Sequence, residues 1–333
     1  MGGPSSGSPA PSPTPTPSPT PDPGPGPNPG PGPNPTPAPG DFVWTVESSG
    51  RAEPVSAVWG SSPTDVWAAG GHGVVHSRGD GAWTTVHEDA NQEYQAVFGA
   101  DGWIFVGGEQ CDQGACQGGL LLRSSDAGVT WASQSLGTNV NGFTAAGGTL
   151  YASSGDVYAT TDHFATTTTI PLQWATSYGV FADGGALYAF GGLRGSQIRR
   201  TTDAGQTWST VYSGYSGSKS GYMNGLARAG ASMLALANGC SVPACVGAIF
   251  RSVDGGGTWT QAAQPQDWVT GIWAASETEI FIGGTALMRS SDGGSSFTKV
   301  ALPVDKTILS VWGVSANEVY AVGQDGTILH GKR

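Results

Sequence analysis

Beyond residue 40, apolar and polar positions alternate in short runs that are broken at regular intervals by Gly, Asp, Asn and Ser. The plainest stretch is 55–86, which reads VSAVWG, DVWAAGG, GVVHSR and AWTTV with a turn after each run. Period-two alternation rich in Val, Trp and Thr predicts four short strands. Further units of this kind begin near Gln95, Asn141, Tyr178, Asn224, Thr270 and Leu309. Their mean spacing of about 42 residues is the length of one four-stranded propeller blade. The seventh unit, LSVWGVSANEVYAVGQDGTILHGKR, supplies only three strands, whereas FVWTVES at 42–48 carries the Trp-Thr-Val signature of a fourth. The expected architecture is all-β: seven four-stranded blades, with residues 42–48 completing blade seven and removing the open edge.

A second pattern runs through the units. SSDAGVTW (124–131), TTDAGQTW (201–208), SVDGGGTW (252–259) and SSDGGSSF (290–297) all fall between the third and fourth strands. Blade three holds a decayed copy, TTDHFATT at 160–167, and blade one a shortened one, SRGDGAW at 77–83. In such a turn Asp126, Asp203, Asp254 and Asp292 accept backbone hydrogen bonds, and the Gly two residues on takes the permissive φ. Trp131, Trp208, Trp259 and Phe297 then wedge between blades, each burial contributing roughly 2–3 kcal/mol. Turn chemistry accounts for every residue type, so these carboxylates read as structural rather than catalytic.

The repeated pattern resembles the Asp-box of sialidases, sortilin-type receptors, xyloglucanases and photosystem II assembly factors, all β-propellers. The resemblance implies the fold; the active sites of those families do not carry over. The Arg-Ile-Pro motif that sialidases place before their first box is missing: Arg51 is followed by Ala-Glu-Pro, and Arg123, Arg251 and Arg289 sit at equivalent strand positions. Xyloglucanases of this type set two propellers across a cleft, and this chain has length for one. No Gly-x-Ser-x-Gly elbow occurs, and His76 and His330 occupy the same blade position, which repetition explains.

Composition adds a second region. Of 23 prolines, 17 lie in the first 40 positions. Alternating Pro with polar spacers favours extended polyproline II, so residues 1–40 read as a stalk or linker of roughly 100 Å ahead of a propeller domain, 41–333. The chain carries 25 acidic residues against 14 basic ones without a basic cluster, which disfavours nucleic acid and anionic lipid as partners. Four cysteines form two local pairs, Cys111 with Cys116 and Cys240 with Cys245. Disulfides are expected rather than a metal site, which points to an oxidising compartment. No run of 18 apolar residues is present. The opening MGGPSSGS has neither a charged nor an apolar leader region, and Gly/Ser-rich sequence leading into Pro-rich sequence resembles the segment after the acylated cysteine of bacterial lipoproteins. The expected location is therefore extracellular, periplasmic or the outer cell surface of a bacterium, with the export signal lying outside this sequence and any membrane contact made through a lipid anchor.

Departures from the repeat are where a propeller carries function. Loops joining second to third strands and loops joining blades share the face opposite the Asp turns. That face is expected to hold Tyr212, Tyr215, Tyr222, Trp268 and Trp174 as aromatic contacts, with Arg194, Lys219, Glu109 and Asp112 as polar ones. The expected function is a non-catalytic binding propeller for a glycan or protein, with no metal or cofactor. Two alternatives stand beside it: an assembly protein whose Pro-rich arm docks on other copies or a partner, and a sialidase-like glycoside hydrolase.

Overall fold

The computed structural model describes residues 1–3, 41–112, 115–172, 177–192, 196–214, 220–241, 244–265 and 267–333. Contacts divide the chain between Thr36 and Pro37, and the second unit holds all the described secondary structure. The stalk reading of residues 1–40 falls almost entirely outside the described residues, which there are Met1–Gly3.

Among the described residues there are 28 strands and no helix. After β1 (Val43–Ser48), blade one comprises β2–β5 (Ala57–Ser62, Asp65–Gly70, Gly73–Ser77, Trp83–Glu88). Blade two comprises β6–β9 (Gln92–Ala100, Trp103–Asp112, Ala115–Ser124, Ala132–Ser135), and blade three β10–β13 (Gly142–Ala146, Thr149–Ser154, Asp156–Thr160, Thr168–Ile170). Blade four is β14–β17 (Ser177–Asp183, Ala186–Gly191, Ser196–Thr201, Ser209–Gly214), and blade five β18–β21 (Ser220–Ala229, Ser232–Ser241, Ala244–Ser252, Thr260–Ala263). Blade six is β22–β25 (Val269–Ala274, Ile280–Gly284, Met288–Ser290, Thr298–Lys299). Blade seven takes β26–β28 (Ile308–Ser315, Glu318–Gly323, Thr327–Lys332) and borrows β1, as the order β1-β28-β27-β26 shows. All pairings are antiparallel. First strands touch first strands around the ring, with β26 meeting β2 to close it.

Alternation along each strand sends side chains to both faces of its sheet, so each blade buries against two neighbours. Among the described residues, seven hydrophobic clusters result, one at each blade junction. Trp131, Trp208, Trp259 and Phe297 pack against four of them as expected. Strand-two glycines allow the close approach that this packing needs. A Cβ on Gly108, Gly284 or Gly323 would fall within the carbonyl oxygens of Glu93, Trp268 and Thr307, and that backbone has no rotamer through which to yield. Gly284→Ala is therefore expected to destabilise by about 2–3 kcal/mol, read as a lower urea midpoint at unchanged slope.

The turn chemistry takes its expected form. In blade two the Ser124 hydroxyl donates to Asp126 Oδ1 (2.8 Å) and accepts from Gly128 N–H (2.9 Å). Thr130 donates its N–H to Oδ1 (2.9 Å) and its hydroxyl to Oδ2 (2.6 Å). The same bonds recur around Asp203, Asp254 and Asp292. Side-chain and backbone donors from Thr130, Thr207 and Ser296 hold Asp126, Asp203 and Asp292 down at about 2. Saturated in this way, the carboxylates anchor turns.

Blade three corrects the reading of a decayed copy. Thr160, Asp162 and Thr166 make all of these bonds, including Phe164 N–H to Thr160 Oγ1 at 3.2 Å. His163 and Phe164 adopt φ of 57° and 61° where the other turns use Ala or Gly. Phe164 is 1% exposed and meets Phe105 and Phe143 edge-on at 5.3 and 5.9 Å. It plugs the junction of blades two and three from within the turn, in place of the aromatic that Thr167 lacks.

Ring closure is anchored at both chain ends. β1 pairs with β28 over six residues, from Val43↔Lys332 to Ser48↔Thr327. Phe42 inserts edge-on against Phe281 (5.3 Å) under the guanidinium groups of Arg333 (4.4 Å) and Arg289 (5.7 Å). Glu279 receives both arginines, at 2.5 Å from Arg289 and 2.8 Å from Arg333.

Candidate ligand face

First strands in five blades carry a β-bulge where they leave the lead-in loop. The register shifts fall at Gln95, Tyr178, Asn224, Thr270 and Leu309, the positions at which the sequence units begin. A bulge re-aims its extra side chain. Three of these side chains tie one blade to the next: Gln95 Oε1 accepts from Asn139 (3.2 Å), Asn224 donates to Val269 O (2.8 Å), and Thr270 donates to Ile308 O (2.6 Å).

Tyr178 instead extends an aromatic row. Its ring meets Tyr222 at 6.2 Å, and Tyr222 meets Trp268 at 6.4 Å, so one half-buried line crosses blades four, five and six. Burial, with the Tyr222 phenol adding to it, raises the Tyr178 hydroxyl above its ordinary value, so this ring stays neutral. Tyr222 and Trp268 belong to the expected set, whereas Tyr178 does not. Its signal was an aromatic in a repeat position that elsewhere holds Gln, Asn, Thr or Leu.

The other expected residues divide into three groups. Tyr212 lies in β17 and packs on Phe250 at 4.7 Å, so its ring belongs to the core between blades four and five. Trp174, Arg194, Tyr215 and Lys219 lie outside the described residues. Glu109 and Asp112 lie in blade two, on the far side of the ring from the aromatic row. Glu109 stands directly across the strand pair from Glu93, and burial followed by the Glu93 charge raises its carboxyl above the usual range. Asp112 is exposed at the tip of the same hairpin, beyond the Cys111–Cys116 disulfide. Cys240 and Cys245 are direct partners at the equivalent place in blade five, with their side chains outside the description. The Glu93 carboxylate adjoins both sulfurs of the blade-two pair. Joined to each other, those sulfurs offer no thiolate ligand.

On the opposite face, acids at the start of second strands meet bases at the end of third strands. Asp65 holds His76 (2.9 Å), Glu279 holds Arg289, and Glu318 holds His330 (2.9 Å). Each base stands across the sheet from an aromatic: Trp67, Phe281 and Tyr320. This is the repeat relation expected for His76 and His330.

No protein-family model and no curated protein matches the chain. Solved structures do. YCF48 bound to D1 peptide superposes with a TM-score of 0.66 at 14% identity, over 87% of this chain and 97% of that one. The chain shares the seven-bladed propeller fold. A GH74 xyloglucanase from Xanthomonas campestris aligns at TM-score 0.65 and 14% identity, over 86% of this chain and 53% of the enzyme. The extracellular domain of a hybrid two component system from B. thetaiotaomicron aligns at 0.68 and 13%, over 87% of this chain and 39% of that one. At such identities the likeness is one of fold, and the set spans a peptide-bound protein and an enzyme.

Proposed function

We propose that this chain is a non-catalytic binding propeller of the cell exterior that holds a protein segment on the face carrying Tyr178, Tyr222 and Trp268. The observation that carries this reading is the half-buried row itself, since large aromatics on a rigid sheet bind partners at low entropic cost. Its ring planes are inclined by 68° and 50°. They form no single flat stacking platform, which favours a peptide over a sugar ring. The blade-two disulfide suits an oxidising compartment, and the extracellular neighbour has the same fold. The test is selection of a displayed peptide library on the purified protein, with a glycan array in parallel. Enriched peptides should bind the Tyr222→Ala/Trp268→Ala double variant more than tenfold more weakly. Equal affinity in a folded double variant would overturn the reading.

Glycoside hydrolysis has one observation in its favour, the Glu93–Glu109 pair with its raised carboxyl, since such enzymes use two neighbouring acids. No turnover of fluorogenic glycosides is expected. Turnover abolished by Glu109→Gln would install the enzyme in place of the binding protein.

A further inference from the structure

Equivalent histidines in blades one and seven differ in one respect. His330 is saturated: Nδ1 meets Glu47 at 2.7 Å and Nε2 meets Glu318 at 2.9 Å. His76 spends only Nε2, on Asp65 Oδ1 at 2.9 Å. The same Asp65 oxygen accepts from Trp67 Nε1 (2.8 Å), and the Ser61 hydroxyl occupies the other. Asp65 is therefore an acceptor at every bond, and the proton must lie on Nε2. The imidazole is clamped flat on Trp67, with centroids 3.9 Å apart and planes 11° apart. Nδ1 is left as a fixed acceptor, unbonded among the described residues. Burial lowers the pKa of His76 further than Asp65 raises it, which keeps the ring neutral near pH 7.

This histidine lines a cavity of about 260 Å³ between blade one and the Asp turn of blade two. The remaining walls are Arg78, Asp80 and Thr84 on one side, and Ala82, Val86 and Val129 supply apolar surface. The shortened turn of blade one contributes Arg78, Asp80 and Ala82. In blade seven, Glu47 of β1 takes the corresponding His330 nitrogen. Arg78 is exposed and makes no ion pair among the described residues, while Asp80 accepts from Ala82 N–H (3.0 Å) through one oxygen.

We propose that this cavity binds a small aliphatic α-amino acid. Its carboxylate pairs with Arg78, its ammonium donates to His76 Nδ1 and Asp80, and its side chain lies against Val86 and Val129. The volume suits a molecule of that size, and a zwitterion satisfies the cation, the anion and the fixed acceptor together. The site lies on the face opposite the aromatic row and does not depend on the function proposed for that row.

The test is titration of the full-length protein with L-leucine, following the His76 imidazole nitrogens by NMR. A saturable shift centred on Nδ1, with Kd on the order of 1–10 mM, is expected. Leucinamide, lacking the carboxylate, and 4-methylpentanoate, lacking the ammonium, should each bind about tenfold more weakly, as should L-leucine to Arg78→Gln. Arg78 is exposed, so this variant keeps the fold, and an unchanged melting curve verifies it. The proposal is overturned if His76 does not respond to L-leucine up to roughly 50 mM, or if the three compounds, or the two proteins, behave alike.

Discussion

A chain beginning at Ser49 is expected to unfold more than about 10 °C below one beginning at Asp41. Losing β1 removes Phe42 and Trp44 from the junction of blades six and seven, and truncating a buried aromatic costs about 3–5 kcal/mol. For a domain of this size each kcal/mol lowers the midpoint by roughly 2–4 °C. The loss also exposes the edge of β28, strips Trp83 Nε1 of its acceptor Glu47 (2.7 Å), and leaves His330 Nδ1 unbonded in a buried position. Calorimetric scans of the two chains check this, and equal midpoints would refute closure by β1.

The pH dependence of the same strand follows from Glu47. Burial raises its carboxyl, but the bonds from His330 and Trp83 outweigh burial and hold it below the ordinary glutamate value. A depressed folded-state pKa stabilises fully above the unfolded value of ~4.3 and loses that contribution as pH falls through the folded one. The midpoint gap between wild type and Glu47→Gln is thus widest near neutrality and closes in acid. A gap that widens in acid would reverse the assignment.

Phe164→Ala is the second large effect. The side chain is fully buried at the junction of blades two and three, so a loss of about 3–5 kcal/mol is expected, or a midpoint fall of roughly 10 °C. Phe164→Gly should fall slightly less, because glycine relieves the positive φ of 61°. Trp131→Ala should cost less than either, since Trp131 is only half-buried. A loss below about 1 kcal/mol for Phe164→Ala would mean that the ring does not plug the junction.

Much of the scaffold is legible in the chain because its causes are local. Strand alternation shows within six residues and the Asp turn within eight. Even the missing strand of blade seven could be matched to Trp44-Thr45-Val46, because each blade repeats the register of the last. Blade three shows where local reading stops: TTDHFATT reads as a decayed copy, yet Phe164, three residues before Thr167, fills the gap by entering from the turn.

The candidate sites lie beyond local signals. Tyr178, Tyr222 and Trp268 are each about 45 residues apart and meet only because successive lead-ins converge on one face. Tyr212 looked equally suitable and packs into the core, because β17 continues through it. His76 and His330 occupy one repeat position, and what distinguishes them is whether a strand from the other end of the chain supplies a second carboxylate. Sequence alone therefore determined the blades, their turns and the strand that closes the ring, all set by backbone periodicity and hydrogen bonding over a few residues. Which side chains are saturated and which face a cavity was decided by the tertiary structure, because the partner that covers or leaves each group comes from a neighbouring blade whose position depends on the closed ring.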